Sequence, residues 1–106
     1  VNLWSVSDPA DGTRPTLSLP VLARLAIYGS ATKKLSLQGI YRAIITRFSY
    51  YREHQEETRW KNSIRHALSL HKVFVKVKRP IHEAGKGDYW VLDVSRGNGY
   101  KRARKR

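Results

Sequence analysis

An α+β domain, with its helices first and a small antiparallel sheet after them, is what this 106-residue sequence predicts. Three observations carry that expectation. Two segments repeat apolar residues at helical spacing, the repeat changes to two beyond residue 72, and glycine- or proline-bearing breaks separate the segments. The length suits one domain built on a single core.

The elements follow in chain order. Residues 1–15, VNLWSVSDPADGTRP, are dense in turn-forming residues and show no period, so an irregular stretch is expected, with residues 1–13 set apart as an arm. Trp4 is expected to pack onto the domain surface, because a large apolar ring left in water is a liability. The domain proper is placed at 14–94. Ser18 offers an N-cap, Pro20 is tolerated in a first turn, and Leu22, Leu25 and Ala26 follow at helical spacing, predicting a helix over 18–28 that Gly29 and Ser30 stop. Lys33 and Lys34 lead into Leu35-Ser36-Leu37, an extended piece able to pair as a minimal strand. Leu37, Ile40, Tyr41, Ile44, Ile45 and Phe48 then form a full core stripe, so the second helix is a supporting one. Residues 49–53 are expected to end it, and residues 54–58 to form a polar connection. Glu56 and Glu57 stand just ahead of the next helix, where its dipole favours them.

Trp60–Phe74, WKNSIRHALSLHKVF, reads as one helix with two faces, its working part at about 58–70. Trp60, Ile64, Ala67, Leu68 and Leu70 gather on or beside one side; Lys61, Asn62, Arg65, His66 and Ser69 gather on the other. A polar helix face is ordinarily a solvated one, but such faces normally mix Glu and Asp with Lys. This one holds no acid. An amide, a guanidinium, an imidazole and a hydroxyl in two turns are able to reach base edges and donate to phosphates together.

Beyond it, Val73, Val75 and Val77 alternate with Phe74, Lys76 and Lys78, the period of a strand, and Tyr89–Leu92 is a second. The connection between them contains Gly85-Lys86-Gly87. The phosphate-loop spacing GxxxxGK[ST] is missing, so a flexible loop that sets Lys86 against a phosphate backbone is expected instead. The tail over 95–106 ends in Lys101-Arg102-Ala103-Arg104-Lys105-Arg106, a run expected to stay disordered until it meets an anion and one with the composition of a nuclear import signal.

Charge supports the same direction. Twenty-one Lys and Arg against eight Asp and Glu leave a net +13, the footprint of a polyanion partner. From Arg59 onward there are fourteen basic and three acidic residues, against seven and five before it. The absence of cysteine removes disulfides and thiolate zinc sites, and none of the four histidines has zinc-protease spacing. No apolar run approaches the roughly 18 residues of a membrane span, and no secretory signal is apparent, so a soluble intracellular domain of a longer chain is expected. Spacing yields no base, nucleophile and pocket for an enzyme. A membrane-surface module would lack an apolar face to insert.

Three helices, a basic hairpin and a basic tail follow the order of a winged helix, a helix-turn-helix core flanked by two basic wings. Residues 60–71, WKNSIRHALSLH, closely resemble the forkhead signature W-(K/Q)-N-S-(I/V)-R-H-N-L-S-L. The resemblance extends to Lys34-Leu35-Ser36-Leu37 with Ile40-Tyr41, to Arg47–Arg52, to Phe74–Val77 and to Gly85–Trp90, covering about residues 14–92; the opening segment and the tail resemble those of fungal forkhead proteins. It implies a nuclear transcription factor that binds duplex DNA as a monomer on an A/T-rich site, with no membrane partner, the third helix lying in the major groove. Carried over by position, Asn62, Arg65 and His66 are the base readers, with Lys61, Ser69 and Lys72 on the adjoining backbone. An Asn amide pairs bidentately with adenine N6 and N7, which suits that role. Lys86 and Trp90 of the first wing, and Lys101, Arg102, Arg104 and Lys105 of the second, are implied phosphate contacts. No cofactor is implied beyond an optional structural Mg or Na ion on the backbone of Leu68, Ser69, His71 and Phe74.

Three departures stand out. The family's P-P-Y-S-Y opening reads Pro15-Thr16-Leu17-Ser18-Leu19 here, removing two hydroxyls. Ala67 takes a position where Asn is commonest and is expected to mark altered reading. Asp88 replaces Ser or Asn, so weaker attraction for phosphate is expected at the first wing. The alternative is an architectural winged helix of linker-histone type that binds backbone alone, since charge does not separate the two.

Overall fold

The computed structural model describes residues 2–85, 87–93 and 95. Four helices and three strands follow one another: α1 (Leu19–Tyr28), β1 (Lys34–Ser36), α2 (Leu37–Arg47), α3 (Ser49–Glu53), α4 (Thr58–Leu70), β2 (Phe74–Val77) and β3 (Tyr89–Leu92). The strands form one antiparallel sheet in the order β1-β3-β2. This is the winged-helix form of an α+β domain, with one short helix more than the periodicity predicts.

That extra helix has a local cause. Phe48 is extended (φ −114°, ψ 127°), which breaks the chain between Arg47 and Ser49. The Asp8 carboxylate then accepts from both the backbone N–H and the hydroxyl of Ser49, at 3.3 Å each, serving the exposed start of α3 from 41 residues away.

α1 starts where expected, with Pro20 in its first turn, although the Ser18 side chain makes no capping bond. Ser36 does cap α2, accepting from Gly39 N–H at 3.1 Å. Its core stripe holds: Ile40 and Ile44 are fully buried and Tyr41 is nearly so. α4 does not extend to Phe74. His71 turns extended (φ −92°, ψ 129°), and Val73 and Phe74 are drawn into the core as the chain enters β2, where Asp93 N–H meets the Val73 carbonyl at 2.8 Å. The alternation in β2 is also incomplete. Val73 and Phe74 are both buried whereas Val77 is 40% exposed.

The arm is the main correction. A 3-10 turn at Leu3–Ser5, closed by a reciprocal pair of Asn2 and Ser5 side-chain bonds, buries Leu3 in the core. The Arg47 Nε donates to the Leu3 carbonyl at 3.0 Å, and its Nη2 donates to the Val6 carbonyl. The Cβ an alanine would add at Gly29 would lie 2.5 Å from Asn2 Cβ, so the arm passes where only a glycine fits. Trp4, expected to pack down, is 68% exposed.

Candidate nucleic-acid interface

α4 is seated by its apolar side. Ile64 and Leu68 are fully buried, and Trp60 and Ala67 nearly so. Trp60 meets Tyr41 edge-on with ring centres 5.7 Å apart and tilts against Tyr51 at 4.9 Å, while its indole N–H donates to the His54 carbonyl at 2.9 Å. The Tyr41 hydroxyl donates to the Lys61 carbonyl at 3.0 Å, joining α2 to the first turn of α4. Burial pushes the Tyr41 hydroxyl's pKa up, with the charge of Arg65 partly opposing it.

The opposite side of α4 is open. Asn62, Arg65, His66 and Ser69 are all exposed. Among the described residues no hydrogen bond or ion pair ties down the side chain of Asn62, Arg65 or His66. The Ser63 and Ser69 hydroxyls turn back onto carbonyls of their own helix, Ser63 to Arg59 at 3.1 Å and Ser69 to Arg65 at 3.4 Å. Lys61 is half-buried, its Nζ 5.7 Å from the centres of both the Tyr41 and Trp60 rings. Lys72 is half-buried in the turn after α4. Glu57, at the N-cap position, offers no side-chain capping bond and lies 3.8 Å from the His54 imidazole instead.

Ala67 lies on the side where the helical spacing put it. At 3% exposure it lies on the seated side, lining a cleft with Leu17 and Leu19 of the chain entering α1. The two tyrosine-to-leucine departures and Ala67 therefore line one cleft. That cleft, about 480 Å³, also brings Arg14, Ser18, Ser63 and His66 together. Arg14 sits in the turn-rich opening segment, so no periodicity picks it out; only the fold sets it beside His66.

The described residues of the hairpin loop are joined by side-chain hydrogen bonds. The Arg79 guanidinium donates to the carbonyls of Gly87 (2.8 Å) and Ala84 (3.0 Å) and to the Tyr89 hydroxyl (3.0 Å), and Tyr89 donates to Glu83. Asp88, half-buried, accepts from Arg79 N–H at 3.3 Å, so its charge serves the loop as well as facing solvent. Gly85 has φ +118°, and a Cβ there would meet Arg79 Nη1 at 2.9 Å. Trp90 pairs with Leu35 and Lys76 across the strands, on the face that packs against the core. It is half-buried with the Lys76 Nζ 5.6 Å from its ring centre. Lys86, Lys101, Arg102, Arg104 and Lys105 lie outside the described residues.

Among the described residues no three His, Asp or Glu side chains gather for a metal, and no helix is long and apolar enough to cross a membrane. A seated helix with an acid-free polar outer row, beside a strand pair in a basic chain, defines a winged-helix DNA-binding domain. The Forkhead domain family pattern matches residues 13–101, and the chain belongs to that family. It is 44% identical over 101 residues to Forkhead box protein L3 of Homo sapiens, a match covering 87% of this chain and 42% of that relative. The chain thus spans less than half that relative's length. Membership of that family makes it a sequence-specific DNA-binding domain.

Proposed function

We propose that α4 enters the major groove of an A/T-rich duplex site and that Asn62, Arg65 and His66 read its base edges. The observation carrying this is the row itself: three exposed donors in a turn and a half of one helix, on the side opposite Ile64 and Leu68. Lys61, Ser69 and Lys72 beside the row, Lys86 and Trp90 at the first wing, and Lys101, Arg102, Arg104 and Lys105 of the tail are the proposed backbone contacts, which position without specifying. Arg14, at the mouth of the cleft that His66 also lines, is added to them. Trp90 is the weakest member of that set, because its ring faces the core.

The domain acts as a monomer on its site, with residues 14–94 as its main part, residues 1–13 as an arm packed onto it through Leu3, and 95–106 as a basic second wing. The full-length protein acts in the nucleus as a transcription factor. An optional structural Mg or Na ion would sit on the backbone carbonyls of Leu68, Ser69, His71 and Phe74, which are hard oxygen donors.

Selection from random duplexes at physiological salt tests the reading. An enriched A/T-rich core is expected, and Asn62→Ala should cost about 1 to 3 kcal/mol on that core with almost no change on random DNA. Equal losses on both would replace specific reading by binding to backbone alone.

A further inference from the structure

A second concave surface lies between the N-terminal turn, α1 and α2, and no residue of α4 lines it. It is a groove of about 410 Å³. Leu25 and Ala26 of α1 and Ala43 of α2 form its apolar floor, and Trp4 stands at its edge. Trp4 is held in place although it is 68% exposed. Its backbone N–H donates to Asn2 Oδ1 at 2.8 Å, and the Arg47 guanidinium lies 4.8 Å from its ring centre while donating to the flanking carbonyls. An exposed indole on a turn tied down by Asn2 and Arg47, beside an apolar groove, is the kind of side chain that anchors protein contacts.

Charge decides what fits there. Among the described residues lining the groove, only Arg42 is charged, and its side chain is exposed. A second copy of this domain would bring another +13 toward it. A duplex presents rows of phosphates and no large apolar side chain for the floor, so it would leave the groove unfilled.

We propose that this groove docks an acidic segment of a partner protein, whose large apolar side chains pack against Trp4 and the floor while its carboxylates meet Arg42. The site is separate from α4, so the segment and DNA bind together.

The experiment titrates the ¹⁵N-labelled domain with a synthetic peptide of Glu, Asp, Leu and Phe arranged with one apolar face. A scrambled peptide of the same composition is the control. Amide shifts should concentrate at Leu25, Ala43 and Thr46, with a blue shift of Trp4 emission, and should persist when the domain is bound to duplex. Arg42→Glu, on an exposed side chain, should weaken the peptide about fivefold and Trp4→Ala by at least as much; loss of peptide binding in Arg42→Glu with the fold intact keeps the result independent of arm folding. Shifts running along α4, equal binding of the scrambled peptide, or no binding would each overturn the proposal. So would concentration-dependent dimerisation in sedimentation that Trp4→Ala abolishes, because a second copy would then be the occupant.

Discussion

Tyr41 shows how a single buried hydroxyl ties α4 to α2. Its ring supports Trp60 and its O–H holds the Lys61 carbonyl, one residue before Asn62. Tyr41→Phe keeps the packing and removes the bond, so a loss of about 0.5 to 1.5 kcal/mol is expected in urea unfolding, together with weaker discrimination between duplexes. Gly29 is the second informative residue. Its φ of −84° suits any amino acid, and what an alanine would meet is the arm. Gly29→Ala should therefore destabilise the whole chain by about 1 to 3 kcal/mol. In a chain lacking residues 1–6 the same change should be nearly neutral, and thermal unfolding of the four proteins tests it.

The arm and the hairpin loop are the two elements whose order rests on charged side chains. For the arm, Leu3 supplies the burial and Arg47 the anchoring bonds. Leu3→Ala should cost about 2 to 4 kcal/mol, read from denaturant midpoints. For the loop, pH is the lever. The hydrogen bond from Tyr89 holds the Glu83 carboxyl below its ordinary value of 4.5, and the same bond raises the Tyr89 hydroxyl above 10.0. The folded loop thus binds the Glu83 proton less tightly than the unfolded chain does. Its stabilisation is complete above the ordinary carboxylate value and disappears as pH falls through the lowered one. Tyr89 behaves oppositely: its contribution is complete below 10.0 and disappears as pH rises through the raised value. Tyrosine NMR titration should show Tyr89 ionising late, and Glu83→Gln should bring it back toward 10.0; an unchanged Tyr89 would mean that the bond does not persist in solution.

Over the entire domain the net +13 makes affinity depend on salt. Removing residues 101–106 should weaken all duplexes alike and flatten the slope of log affinity against log salt, whereas Asn62→Ala should leave that slope unchanged. Equilibrium binding at several salt concentrations separates the two. A domain this small has one core, and the groove at Trp4 and the row at Asn62 lie on different parts of its surface, so variants at one should leave the other intact.

The amphipathic stripe of α2, the two faces of α4 and the strands β2 and β3 were legible from residue order, because local spacing controls which side chains share a face. The acid-free row on α4 was equally legible, since it needs only a helix and a residue list. Nothing local separates Asp8 from any other loop aspartate, or Arg47 from any other helix-ending arginine. Their partners, Ser49 and the Leu3 and Val6 carbonyls, stand more than forty residues away. Ala67 illustrates the same divide. Helical spacing put it on the apolar side, and only the fold showed that Leu17 and Leu19 line the same cleft. Periodicity depends on the backbone alone and survives in the bare sequence. Long-range pairing depends on where separate elements come to rest, and that exists only once the core has closed.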